Sequence, residues 1–187
     1  MEKGKIIFLN GTSSSGKTTI AKELQQISEE AYLLVSVDNF INMLPQKYLK
    51  GECNETFNKE ILKIIHGMHH SISALASTGN NIIVDHVLED KEWLKECVNV
   101  LANFQVLFVG VHCPLEELEK RERNRGDRKI GLARFQYNLV HSHGVYDIKV
   151  DTDKYTPLEC AQQIRETITD NSSCKAFKIL EDKFAKV

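Results

Sequence analysis

Short, nearly continuous apolar runs alternate along the chain with longer stretches in which apolar residues recur every three or four positions. The runs are Lys5–Asn10, Tyr32–Asp38, Asn81–Asp85, Gln105–His112 and Tyr146–Asp151. Their length and their Val and Ile content predict five strands. Near-continuous apolar runs are what strands covered on both faces require. The intervening pattern predicts helices. Lys17–Ser28 puts Ile20, Leu24 and Ile27 on one face, and Asn58–Ser77 repeats Ile61, Ile65, Met68, Ile72 and Leu75. Asp90–Asn103 carries Trp93, Leu94 and Val98. Pro114 can open a further helix, because its missing N–H would be unpaired in a first turn. Thr156-Pro157-Leu158-Glu159 reads as a capping box with proline at the first helical position. The polar start of Asn171–Val187 gives way to Phe177, Leu180 and Phe184, the spacing of a terminal helix. Strand and helix alternate throughout, which predicts an α/β protein with a parallel sheet. No repeat, low-complexity tract or linker divides residues 1–187, so one domain is expected.

Composition narrows the classes. In 187 residues, 42% are hydrophobic and 27% charged, within the globular range, and the net charge of -2 lacks the basic excess of a dedicated nucleic-acid binder. No apolar run is long enough to span a membrane. Only Ile6 to Leu9 are apolar after the N-terminal Met1-Glu2-Lys3-Gly4-Lys5, too few for a secretory leader, so a cytoplasmic location is expected. Cys53, Cys97, Cys113, Cys160 and Cys174 show no C-x-x-C spacing and read as thiols of a reducing compartment.

The chemistry begins at Gly11-Thr12-Ser13-Ser14-Ser15-Gly16-Lys17-Thr18, a full match to G-x-x-x-x-G-K-[ST] lying between a predicted strand and a predicted helix. Glycine lets the backbone approach phosphate oxygens closely. A helix opening at Lys17, with Thr19 in its first turn, aims unpaired N–H groups at an anion. Lys17 adds a point charge for the β- and γ-phosphates, and the Thr18 hydroxyl suits Mg²⁺.

Two carboxylates end strands on the same sheet edge. Asp38 follows Val35-Ser36-Val37 and Asp85 follows Ile82-Ile83-Val84. Either can serve as the base for an attacking hydroxyl or as a group of the magnesium shell, and the sequence leaves the two roles interchangeable. Leu115–Arg125 is a charged helix whose Glu–Lys and Glu–Arg spacings suit weak surface pairs, and Glu116, Glu117, Glu119, Lys120 and Glu122 read as a solvated face. Its end differs. Arg125 and Arg128, with Arg121 one turn earlier, gather around Gly126-Asp127, and Gly131 lies just beyond. Arginines on a glycine-hinged tip can close over ATP and neutralise the transferring phosphoryl group, so residues 121–131 read as a lid. Residues 39–78 read as the substrate side. His66 and His70 share a helix face but lack the H-E-x-x-H pattern, and read as polar surface. Trp93 reads as packing, and His86 points weakly toward the cleft. His141 and His143 read as loop.

Six stretches in order resemble the chloramphenicol phosphotransferase family of small P-loop kinases: IIFLNGTSSSGKT (Ile6–Thr18), VSVDNFI (Val35–Ile41), IIVDHVL (Ile82–Leu88), LFVGVHCP (Leu107–Pro114), RGDR (Arg125–Arg128) and VHSHGVYDIKVDT (Val140–Thr152). The resemblance implies a three-layer α/β/α P-loop kinase fold with a central five-stranded parallel sheet, and ATP and Mg²⁺ as cofactors. It implies that Asp38 is the base toward a primary hydroxyl of a chloramphenicol-like acceptor, and that Arg125 and Arg128 are lid arginines. Another small acceptor (a nucleotide or sugar-type alcohol) and a non-kinase ATPase switch are the alternatives.

Overall fold

The computed structural model describes residues 2–49, 55–125, 130–169 and 173–186. Five parallel strands, β1 (Ile6–Asn10), β2 (Tyr32–Ser36), β3 (Asn81–His86), β4 (Val106–His112) and β5 (Ile148–Asp151), form one sheet in the order β2-β3-β1-β4-β5. β1 sits at the centre, with Leu9 level with Asp85 on β3 and with Val109 on β4. The strand residues divide between two cores, as the apolar runs required. Ile6 and Phe8 face a layer built on α4 (Glu55–Ser77), α5 (Lys91–Val100) and α9 (Ala176–Phe184). Ile7 and Leu9 face α1 (Lys17–Ile27) and α8 (Pro157–Thr169). Phe8 and Phe108 are fully buried and meet edge to face at 5.7 Å; truncating either to alanine should cost about 3–5 kcal/mol.

The remaining helices are α2 (Val37–Ile41), α3 (Gln46–Leu49), α6 (Leu115–Arg125) and α7 (Leu132–Val140). Three local features depart from the pattern reading. β2 stops at Ser36, because the Ser36 hydroxyl accepts the Asn39 N–H at 3.2 Å and caps α2. Asp38 therefore lies in the first turn of a helix and not at a strand end. β5 starts at Ile148, two residues late. Asp147 takes its side chain out of the ladder, accepting the Phe108 N–H at 2.8 Å and the Lys175 and Ala176 N–H groups at 2.7 Å each. Helix α7 was not foreseen. Its start is held by Glu122 of α6, which accepts the Gly131 N–H at 2.7 Å and the Ala133 N–H at 2.9 Å. Glu122 is thus buried and capping, not part of a solvated face.

Other expectations hold. In the capping box, Glu159 accepts the Thr156 N–H at 2.8 Å and donates its own N–H to the Thr156 hydroxyl at 3.3 Å. Gly126, Asp127, Arg128 and Cys53 lie outside the described residues. Among those described, no helix is long and apolar enough to cross a membrane.

Candidate active site

The loop after β1 is anchored at its base by Asn10. Its carbonyl oxygen Oδ1 accepts the Leu88 N–H at 2.9 Å, and Nδ2 donates to the Val140 carbonyl at 3.0 Å and the Tyr146 hydroxyl at 2.8 Å. At Gly11 the chain runs so close to β4 that a Cβ would sit 2.6 Å from the Val111 carbonyl oxygen. Gly16, at φ 92, turns the chain into α1 without a side-chain cap, so the helix meets the loop with its N-terminal amides and positive dipole end. The Ser14 and Ser15 hydroxyls are buried without a hydrogen-bond partner among the described residues. The Ser13 N–H donates to Gln136 Oε1 at 2.8 Å, and Gln136 Nε2 donates to Glu89 at 2.8 Å. Gln136 thereby ties α7 to the loop.

Lys17 and Thr18 both turn toward β3. Lys17 Nζ donates to the Thr12 carbonyl at 2.8 Å and lies 3.8 Å from Asp85 Oδ1. The Thr18 hydroxyl donates to Asp85 Oδ2 at 2.6 Å. Lysine and aspartate are both nearly removed from water, where each charge requires the other. Arg121 is fixed beside the loop: Nε donates to Glu117 at 3.0 Å, Nη1 to the Thr152 hydroxyl at 3.0 Å and Nη2 to the Thr152 carbonyl at 2.9 Å. Its Nη1 would lie 4.0 Å from a Cβ placed on Gly16.

One cleft of about 580 Å³ joins these groups. Ser13, Ser14, Gly16, Lys17, Thr18, Thr19 and Asp85 line it, as do Asp38 at the rim and Arg121 and Arg125 from α6. Gly11, Thr12 and Ser15 form the loop behind that lining. Across from the loop, the wall is Val37, Ile41, Ile61, Ile65, Val87, Trp93 and Leu132, with His86 among them. The structure therefore brings Asp38, Asp85, Lys17 and Arg125 to one cavity. Sequence reasoning missed Gln136, Glu122 and Thr152. Each acts across 31 or more residues of chain, or across the α6–α7 junction, and no local motif marks such partners.

His86 lines the cleft, and further histidines pack against it and at the end of β4. His86 is buried, and burial together with the charge of His69 pushes its pKa down to about 3. Its Nε2 lies 2.9 Å from Nε2 of the buried His69. At the end of β4, His112 stacks on His141 at 4.0 Å, and His141 Nδ1 meets the Tyr146 hydroxyl at 2.7 Å. Burial, then the charge of His112, takes the His141 pKa down to about 3.

The donor set suits a magnesium nucleotide. Hard oxygen ligands from Thr18 and Asp85 meet at one point beside a buried ammonium, which is the oxygen chemistry Mg²⁺ prefers. The buried serine hydroxyls without partners and the open helix start are groups that phosphate oxygens would satisfy.

A glycine-bounded loop between a central parallel strand and a helix, with a carboxylate of the neighbouring strand β3 bonded to its threonine, defines a P-loop protein of the kinase type. Comparison with known proteins agrees. The sequence profile described as chloramphenicol phosphotransferase-like protein matches residues 4–169. The chain belongs to the chloramphenicol phosphotransferase-like family, and so to the phosphotransferases. A relative from Mycobacterium tuberculosis strain H37Rv, named "Putative O-phosphotransferase Rv2636", is 31% identical over 98% of this chain and 91% of its own length. Two solved structures share the fold. One is the tunicamycin resistance protein of Deinococcus radiodurans, with a TM-score of 0.68 and 18% identity over 89% of this chain and 96% of that one. The other is the M. tuberculosis APS kinase CysC in complex with AMPPNP and APS, with a TM-score of 0.63 and 18% identity over 89% and 98%.

Proposed function

We propose that this protein transfers the γ-phosphate of ATP to a hydroxyl group of a small molecule, with a chloramphenicol-like alcohol as the acceptor class. The observation that carries the reading is the single cleft in which Lys17, Thr18 and Asp85 face Asp38 and an apolar wall. The loop from Gly11 to Thr19, with Lys17, holds the triphosphate. Thr18 and Asp85 are the residues that would hold Mg²⁺, whose charge offsets that of the phosphate oxygens.

Asp38 accepts the proton of the acceptor hydroxyl as that oxygen attacks. A bond from the acceptor oxygen to γ-phosphorus forms while the bond from phosphorus to the bridging oxygen breaks, and ADP leaves with the electron pair. Lys17, Arg125 and Arg128 offset the charge on the phosphoryl oxygens, and Arg121, already fixed against the loop by Thr152, adds to them. Residues 121–131 serve as the lid, and residues 39–78 shape the acceptor side. Ile41, Ile61, Ile65, Val87 and Trp93 favour an acceptor with an apolar or aromatic body over a heavily charged one. The reaction takes place in the cytoplasm, and the single chain 1–187 supplies all of these groups as one domain.

Mass spectrometry after incubation with Mg-ATP tests this across chloramphenicol, aminoglycosides, macrolides, shikimate, gluconate and nucleosides. One added phosphate on chloramphenicol supports both the reaction and the acceptor class. Phosphate on another alcohol keeps the reaction and replaces the acceptor. Mg-ATP binding with no phosphorylated product on the whole panel contradicts the proposal.

A further inference from the structure

We propose a zinc-class metal site at the seam between α4 and α5, with His66, His69 and Glu96 as ligands and His70 or water in the fourth position. The site is separate from the phosphate loop and does not depend on the kinase reading. The helix-face reading of His66 and His70 changes once Glu96 is placed. His66 Nδ1 lies 2.7 Å and His69 Nδ1 2.5 Å from Glu96 Oε2, and His70 Nε2 is 3.7 Å from the other carboxylate oxygen. The nitrogens of His66 and His69 and an oxygen of Glu96 all fall within 4.8 Å of one another.

Two imidazoles and a carboxylate are ligands of a borderline divalent ion, and zinc takes them at about 2.0–2.2 Å in a tetrahedron. Such bond lengths need donor atoms about 3.4 Å apart. The two histidine–carboxylate distances must therefore open by less than an ångström. His66, half exposed, and the flexible Glu96 side chain can move that far.

A second feature singles out the site from a surface ion pair. His69 is wholly buried, and its other ring nitrogen is engaged by His86, the outer-sphere partner that a metal-bound histidine needs. With a metal on Nδ1, His69 must carry its proton on Nε2 and donate to His86 Nε2. The proton of His86 then sits on Nδ1, which is buried without a partner among the described residues, a cost that the metal bonds must offset. Without a metal, His69 donates Nδ1–H to Glu96, and the Nε2–Nε2 bond runs the other way, from His86 to His69. Zinc at the seam thus sets the tautomer of a histidine that lines the cleft.

The test is calorimetric titration of Zn²⁺ into the full chain, free of added tag histidines, stripped with a chelator and without nucleotide. His66→Ala and Glu96→Gln are titrated beside it. His66→Ala alters an exposed side chain, and an unchanged melting temperature in chelator verifies its fold. Binding of one Zn²⁺ per chain, weakened about tenfold to a hundredfold or more by each change, is expected. Ring ¹⁵N shifts of His69 and His86 should move together when zinc, but not Mg²⁺, is added. No binding, equal affinity in wild type and both variants, or unmoved His69 shifts overturns the assignment.

Discussion

Replacing Glu122 by alanine tests how α7 is held over the cleft. The side chain is 1% exposed and accepts two backbone N–H groups at the start of α7. Hydrogen bonds to a charged acceptor contribute about 1.5–3 kcal/mol each. The Gly131 amide is on an exposed residue and can turn to water, so its loss sits at the low end. Ala133 is fully buried, and its amide has no such recourse. Together these give a destabilisation of ~3–4.5 kcal/mol in Glu122→Ala. At ~2–4 °C per kcal/mol for a domain of this size, the melting temperature should fall by ~6–18 °C. Glu122→Gln keeps one acceptor oxygen and should lose about half as much. Because Gln136 on the same helix holds the Ser13 amide, affinity for Mg-ATP should weaken in step. Thermal melts followed by circular dichroism, with nucleotide titrations on the same samples, measure both. A shift under ~2 °C in both variants refutes the reasoning, because a buried cap cannot be that cheap to remove.

Asp85→Asn keeps an acceptor for the Thr18 hydroxyl but removes the anion beside Lys17. ATP affinity without Mg²⁺ should hold or rise while its enhancement by Mg²⁺ shrinks at least tenfold; an unchanged magnesium dependence in nucleotide titrations counts against Asp85 as the ligand. Acid should destabilise the fold through His141, whose pKa is lowered to about 3 chiefly by burial and then by His112, His143, Lys17 and Lys149. A lowered histidine pKa favours the neutral form, so its contribution is complete above the unfolded value of about 6.5 and is lost as pH falls toward 3. Urea midpoints should correspond to a loss of ~1–2 kcal/mol from this group between pH 7 and 5, and His141→Asn should flatten the slope; an equal slope in the variant excludes His141 as the source. Gly110→Ala places a Cβ 2.9 Å from the Tyr146 ring and 3.0 Å from His112 Nε2. It should cost about 1–3 kcal/mol by urea unfolding, with weaker ATP binding because Tyr146 supports Asn10; wild-type stability would show that the rings yield freely.

What the sequence discloses follows from how local each determinant is. Strands β1 to β4 are legible because each is a near-continuous apolar run, β5 from Ile148 and Val150 between polar residues, and the phosphate loop because eight adjacent residues carry its motif. Asp38 was located but its setting was not. Ser36 ends the strand with a single hydroxyl bond, which no apolar pattern records. Helix α7 was invisible because its cap comes from another helix, and Glu122 looks in sequence like any other charge in Leu115–Arg125. The charge pairs of that helix also differ from the i,i+4 reading in part. Glu117 does hold Arg121, but Glu119 reaches Arg134 on α7, 15 residues away. The His69–His86 contact and the convergence on Glu96 join α4, β3 and α5, which only the folded chain brings together.

The most direct test of phosphoryl transfer from this cleft is steady-state turnover of Asp38→Asn beside wild type, with labelled γ-phosphate followed into the acceptor found by the substrate panel. Asp38 stands at the rim of the cavity that holds Lys17 and Thr18, so its loss should spare ATP binding and lower kcat by about 10²–10⁴-fold. Near-wild-type kcat in Asp38→Asn, with label still reaching the acceptor, would contradict the account.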